Sequence, residues 1–255
     1  MSIQQGRHID LFKWIKPFVS IAGFFLVWYL LVDAGLLESF PGPFPVAASA
    51  IDAWADPLLH SSIIASLQHI YIPYLFAVAI GVPLGSAIGW NQIVNDLMFP
   101  SLEILRPVPP IAWLPIVILV FPTTTIGIMF ITFLGAFFPI LLNTIAGVRS
   151  IEEDYVKAVR CLGGDRSQVI REVVAPAALP AIHTGLIVGM GLAWINLIAA
   201  EMIADEGIGR YVWVSYTSSN YPNIVFGVLI IGALGYASSE IVRWIGNRRL
   251  QWSNK

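Results

Sequence analysis

The sequence predicts an all-α polytopic membrane protein of about six transmembrane helices, with one long helical loop on the cytoplasmic side. Two observations carry that prediction. Hydrophobic residues fill 57% of the 255 positions and charged residues only 12%, roughly half the charge of a soluble domain. The charges are also unevenly placed. None falls between Lys16 and Asp33, Asp56 and Asp96, Arg106 and Arg149, Glu172 and Glu201, or Arg210 and Glu240. A helix crosses the hydrocarbon core of a bilayer in about 20 residues, so the stretch between Arg106 and Arg149 is too long for one crossing and must fold back. Phe121-Pro122-Thr123-Thr124-Thr125 is the polar, helix-breaking cluster inside it. Proline there removes a backbone donor and disfavours helix in the residue before it.

Taken in order, the chain reads as a single transmembrane domain, 1–255. Residues 1–17 are a cytoplasmic N-terminus and 18–37 the first span. Its basic flank and apolar core look like a signal peptide, but no small-x-small cleavage site follows before Glu38, so it reads as an uncut helix. Pro43-Phe44-Pro45 opens the segment 43–59, which Asp52 and Asp56 make too polar to cross. It reads as an interfacial helix with Trp54 at headgroup depth. Further spans fall at 66–90, 105–121, 125–147, 182–203 and 223–245, with a cytoplasmic tail at 246–255. Six spans put both termini on one side. That side carries 13 of the 14 lysines and arginines, with Arg210 alone opposite, so both termini are expected in the cytoplasm.

The cytoplasmic segment 149–181 is long for a connection between membrane helices and has a helical pattern of its own. Glu152, Glu153 and Asp154 open a first helix near 151–162, and Gly163-Gly164 closes it, as the helix dipole and a C-cap favour. Asp165 and Gln168 are spaced as a capping box for a second helix. Val169, Ile170, Val173 and Val174 give that helix an apolar face, and Pro176 and Pro180 are expected to end it. Two readings fit: a docking element for a cytoplasmic partner, or a linker folded against its own membrane domain.

Several chemistries lack their residues. No GxxxxGK[ST] phosphate loop occurs, so ATP is not bound by that route. The single Cys161 cannot form an internal disulfide, and its neighbours are not a metal-ligand set. No catalytic residue, metal or nucleic-acid partner is expected.

Residues 157–176 resemble the coupling loop of permease subunits of binding-protein-dependent ABC importers, whose pattern is Glu-Ala-Ala, three residues, Gly, nine residues, then Ile-x-Leu-Pro. Gly163 takes the glycine, Pro176 the proline and Ala158 the first alanine. Lys157, Val159, Val173 and Ala175 depart from the pattern. Residues 103–122, 137–150 and 189–203 are similar to the permeases for taurine, alkanesulfonates, nitrate and bicarbonate, most distinctively in Arg106-Pro107-Val108-Pro109-Pro110-Ile111-Ala112-Trp113-Leu114-Pro115. The resemblance implies the type I ABC importer permease fold in a bacterial inner (plasma) membrane, and import of a small anion. It implies a second permease subunit, in a homodimer, two cytoplasmic ATPase subunits carrying the ATP and magnesium, and an extracytoplasmic solute-binding protein. The implied ATPase contacts are Gly163, Gly164, Asp165, Arg166, Gln168 and Arg171, within a motif running from Lys157 and Ala158 to Pro176.

Polar residues inside spans usually face a bundle interior. Asn143 and Asn196 are candidates for lining the path, because neutral amides can pass an anion without trapping it; interhelical hydrogen bonding is the alternative. Glu201, near the outer face, reads as a structural or gating contact, and His69 and His183 as packing histidines. Gly81, Gly85 and Gly89, and again Gly185 and Gly189, form small-residue stripes that let helices approach closely. The outer stretch between Glu201 and Pro222 suits a short re-entrant or interfacial helix that meets the binding protein. A gradient-driven secondary carrier is the competing function, although no internal repeat supports it and the 149–181 loop would go unexplained. An intramembrane protease lacks both a GxSxG nucleophile and an aspartate pair.

Overall fold

A computed structural model gives the structure of the chain and describes residues 11–36 and 40–249. Among the described residues all regular structure is helical. The elements are α1 Leu11–Asp33, α2 Pro43–Trp54, α3 Pro57–Trp90, α4 Gln92–Leu105, a 3₁₀ turn Pro110–Trp113, α5 Leu114–Val120 and α6 Thr124–Arg149. Then follow α7 Glu153–Cys161, α8 Arg166–Gln168, a π-helical turn Val169–Val174, α9 Ala175–Glu201, α10 Ile208–Thr217 and α11 Tyr221–Arg249.

Four helices are long and apolar enough to cross a bilayer, at 57–90, 124–149, 166–201 and 221–248. Helix α4 and the 110–120 segment make a fifth crossing if taken as one span, bent by 83°. The described apolar part of α1, Phe18–Asp33, is shorter. The apolar units follow the predicted order, although among the described residues four, or five with the bent pair, are long enough to cross rather than six, and four details differ. Helix α3 begins at Pro57, so 43–59 is not one interfacial helix but α2 plus the first turn of α3. Asp56 is the cap of that turn, accepting from Leu58 N–H. The third span is not a straight helix over 105–121. Pro107, Pro109, Pro110 and Pro115 withhold backbone donors there, leaving α4, a 3₁₀ turn and a seven-residue α5. The helix expected to stop at Pro176 and Pro180 runs through both. Residues 166–201 form one continuous 36-residue helix, because the π turn redirects bonding ahead of Pro176, with Ala175 N–H reaching Ile170 O. Finally, α1 reaches back to Leu11 and α11 on to Arg249; residues 1–10 and 250–255 lie outside the described residues.

Helix α6 is the axis of the bundle, parallel to α3 and antiparallel to α9. Glycine permits both contacts. On α3, a Cβ at Gly85 would stand 2.8 Å from Leu141 O and from Thr144 Cβ, and one at Gly89 2.8 Å from Val148 Cβ. On the other flank, Gly185 lies against Asn143 and Pro139 O, Gly189 against Ala136 O, and Gly147 of α6 against Ala178 and Ala181. Both glycine stripes thus pack within the chain. Ile131, Ile140 and Leu141 of α6 are wholly buried between them. Outward faces of α1, α3 and α11 instead present large apolar side chains such as Phe18, Phe76 and Tyr236, as a lipid-facing surface requires.

Gly85→Leu should force α3 off α6, an overpacking cost of about 1–3 kcal/mol, and lower the melting temperature of the detergent-purified protein. Gly191, where an added Cβ would meet nothing within 4 Å, should accept alanine with no loss.

Candidate functional site

Two polar constructions stand at opposite ends of the helix 166–201. The first is the 149–181 loop. Helix α7 carries Glu153 and Asp154 in its first turn and Arg160 in its last, matching the dipole. Lys157 reaches back to Glu153 at 3.0 Å and Asp154 at 3.5 Å. The Glu153 hydrogen bond and charge hold its ammonium above the ordinary lysine range. So the lysine at the motif's glutamate position finds its ion-pair partner one turn back in α7 itself.

Gly163 takes φ +86° and bonds Arg160 O, while Gly164 N–H reaches Val159 O at 2.9 Å. This is a Schellman C-cap. Gly164 is needed for a different reason from Gly163: its Cβ would sit 2.8 Å from Val159 O. The capping box forms as spaced. Gln168 N–H donates to Asp165 Oδ1 at 2.7 Å, and Asp165 N–H to Gln168 Oε1 at 2.8 Å.

Val169 and Val174 are both buried, against Val148 and Ala178. Residues five apart on an α-helix point about 140° from each other. The π turn, with its i→i+5 bonding, brings the two valines onto one face. Ala158, Arg166, Ile170 and Arg171 stay exposed, and Pro176 is half-buried. The element is therefore seated on its own membrane domain by one face and leaves another open, so the two readings of the loop are compatible. A cleft of about 470 Å³ lined by Trp90, Arg149, Lys157 and Arg160 flanks it on one side, and one of about 260 Å³ lined by Asn91, Arg166 and Ile170 on the other.

The second construction surrounds Glu201, which is wholly buried. Ser66 Oγ lies 2.8 and 2.7 Å from its two oxygens. His69 Nδ1 is 3.0 Å from Oε1, and Gly209 N–H donates to Oε2 at 3.0 Å. Ser66 Oγ also accepts from Ile208 N–H at 2.8 Å. Glu206 stands 3.5 Å from His69 Nε2 and accepts from Thr125 of α6 at 2.9 Å. Helices α3, α6 and α9 are thereby joined to the segment that leads into α10. Burial, and then the Asp56 charge, raise the Tyr211 phenol of α10 above its usual range. Sequence reasoning does not find Ser66, Glu206 or the Gly207-Ile208-Gly209 run. The available signal was Ser66 and His69 three apart on one helical face, with a glycine pair just beyond Glu201.

Asn143 and Asn196 both lie half-buried at the α6–α9 contact, each over a glycine of the opposite helix: Gly185 and Gly135 respectively. Each amide donates to its own helix, Asn143 to Pro139 O and Asn196 to Leu192 O, both at 2.8 Å. Among the described residues nothing meets the Oδ1 acceptors or the second amide hydrogens. His183 Nε2 lies 3.3 Å from Val242 O and is pressed against Gly246 of α11.

The capped helix lies between the crossings 124–149 and 166–201, and the sequence around it matches a known family. Residues 77–250 fit the pattern of the binding-protein-dependent transport system inner membrane component. The chain belongs to that family. It is a permease subunit of an ATP-driven importer, which decides against the gradient-driven carrier, and ATP hydrolysis falls to a separate chain. Among its relatives, the bicarbonate transport system permease protein CmpB of Synechococcus elongatus is 33% identical over 94% of this chain and 93% of its own. The nitrate import permease protein NrtB of the same organism is 30% identical over 91% and 90%. A putative ABC transporter permease of Methanocaldococcus jannaschii is 33% identical over 82% and 83%. The fold is similar to that of a chain in an inward-facing MetNI methionine ABC transporter, with a TM-score of 0.63 at 18% identity over 76% of this permease and 95% of that chain.

Asp165→Ala removes the cap of α8, worth about 0.5–2 kcal/mol. Amide exchange at 166–168 should quicken severalfold while 175–201 stays protected.

Proposed function

We propose that this permease imports a small oxyanion of the bicarbonate or nitrate kind. It works as a homodimer, with two cytoplasmic ATPase subunits holding ATP and magnesium and a solute-binding protein on the outer face. The 149–181 loop is the coupling element, and both termini lie in the cytoplasm. The observation that carries this reading is the open face of the capped helix beginning at Arg166, held rigid by its box and seated by Val169 and Val174. A rigid amphipathic helix presenting Arg166 and Arg171 outward suits a groove on another protein. Support for the substrate comes from the similarity along nearly the whole chain to permeases named for bicarbonate and nitrate. Asn143 and Asn196 keep neutral hydrogen-bonding capacity at the α6–α9 contact, which fits passage of an anion, and Lys157 and Ala158 to Pro176 form the frame of the coupling element.

The test is co-purification with the candidate ATPase followed by uptake of labelled bicarbonate, nitrate and taurine in proteoliposomes. Wild type should retain the ATPase and take up one anion on ATP addition. Gly163→Pro cannot adopt φ +86° and should lose both. A folded wild-type protein that recovers no ATPase would sink the reading. Orientation has its own check, because the lone Cys161 is exposed on α7. A membrane-impermeant maleimide should label it in inside-out vesicles and not in right-side-out ones.

A further inference from the structure

We propose that Glu201 is a positioning residue that locks the outer segment 202–217 to the end of α9, making the helix 166–201 the rod along which the outer face drives the coupling element. The inference deepens the proposed function and rests on its assignment of the outer face to a binding protein. A carboxylate inside a membrane bundle is costly unless its oxygens are met by donors. Here Ser66, His69 and the Gly209 amide meet them, at 2.7–3.0 Å. Stability alone would be served as well by apolar packing, which is what most of the α3–α6–α9 contact uses.

The segment after α9 is shaped around this one side chain. Gly207 takes φ +101°, and any side chain there would overlap the Glu201 carboxylate. A Cβ at Gly209 would stand 2.7 Å from Glu201 Cβ and 2.6 Å from Ile198 O. Ile208, between them, is wholly buried and donates its N–H to Ser66. Helix α10 starts at that residue and holds Trp213 and Tyr216 outward, 38% and 57% exposed. A load on α10 is therefore delivered through Ile208 and Gly209 to Glu201, the last residue of a helix about 54 Å long whose first turn is the capping box at Asp165.

The experiment uses the full transporter in proteoliposomes and compares ATP hydrolysis with and without the loaded binding protein. Glu201→Ala should assemble with the ATPase and keep its basal rate, while stimulation by the binding protein falls about tenfold, as expected when charge-assisted hydrogen bonds are removed. Glu201→Gln, which keeps the volume and one acceptor, should recover part of the stimulation. Ser66→Ala should lose stimulation in the same direction, and it decides the matter if Glu201→Ala does not assemble. Stimulation equal to wild type in an assembled Glu201→Ala, or failing that in Ser66→Ala, overturns the inference while leaving the proposed function intact. A wild-type transporter that its binding protein never stimulates overturns both.

Discussion

The approach of α3 and α9 to opposite flanks of α6 is the constraint on which every other feature depends. In lipid there is no hydrophobic drive bringing apolar helices together, so close association has to come from packing and interhelical hydrogen bonds. Glycine removes the side chain at the points of contact and lets backbone carbonyls such as Leu141 O and Ala136 O meet the neighbouring helix directly. Because three long helices are seated this tightly, the polar groups hung on them sit in defined positions: Asn143 and Asn196 over their glycines, Glu201 against Ser66, Val174 against the foot of α6. Loosening α6 would move all of them at once.

The two ends of α9 are built from different materials. At the loop end the devices are local: a Schellman turn, a capping box, and two valines placed by the π turn. They would hold their shape over a handful of residues in any context that seats Val169 and Val174. At the outer end the device is tertiary. Ser66 and Glu201 are 135 positions apart, and the contact exists only once α3 and α9 lie on α6. Helix formation supplies the first end and bundle assembly supplies the second.

That difference also separates what was legible in the sequence from what was not. Charge-free stretches revealed the crossings, since lipid tolerates little else, and Asp165, Gln168 and Gly163 announced the loop because caps are encoded within four residues of the helix they terminate. The glycine stripes were equally plain. The start of α3 was not, because Asp52 and Asp56 make 43–59 look too polar to cross, although Asp56 is the cap from which α3 begins. Pro176 and Pro180 resembled stops, and only a turn with altered hydrogen bonding lets the helix continue. Glu201 was visible as an intramembrane acid, and Ser66 and His69 share one helical face, but nothing in the local sequence pairs them with a residue so distant.

The π turn has a consequence for rotational phase. Each residue of an α-helix advances the side-chain direction by about 100°, and a π turn holds one residue more than the α turn it replaces. Everything N-terminal to Val169, including Arg166 and the capping box, is thereby set at an angle to the Glu201 end that a regular helix would not give. A chain with one residue fewer in 169–174 would close the wide turn into an α turn and keep the angle between its two ends, yet lose the geometry that sets Val169 and Val174 on one face.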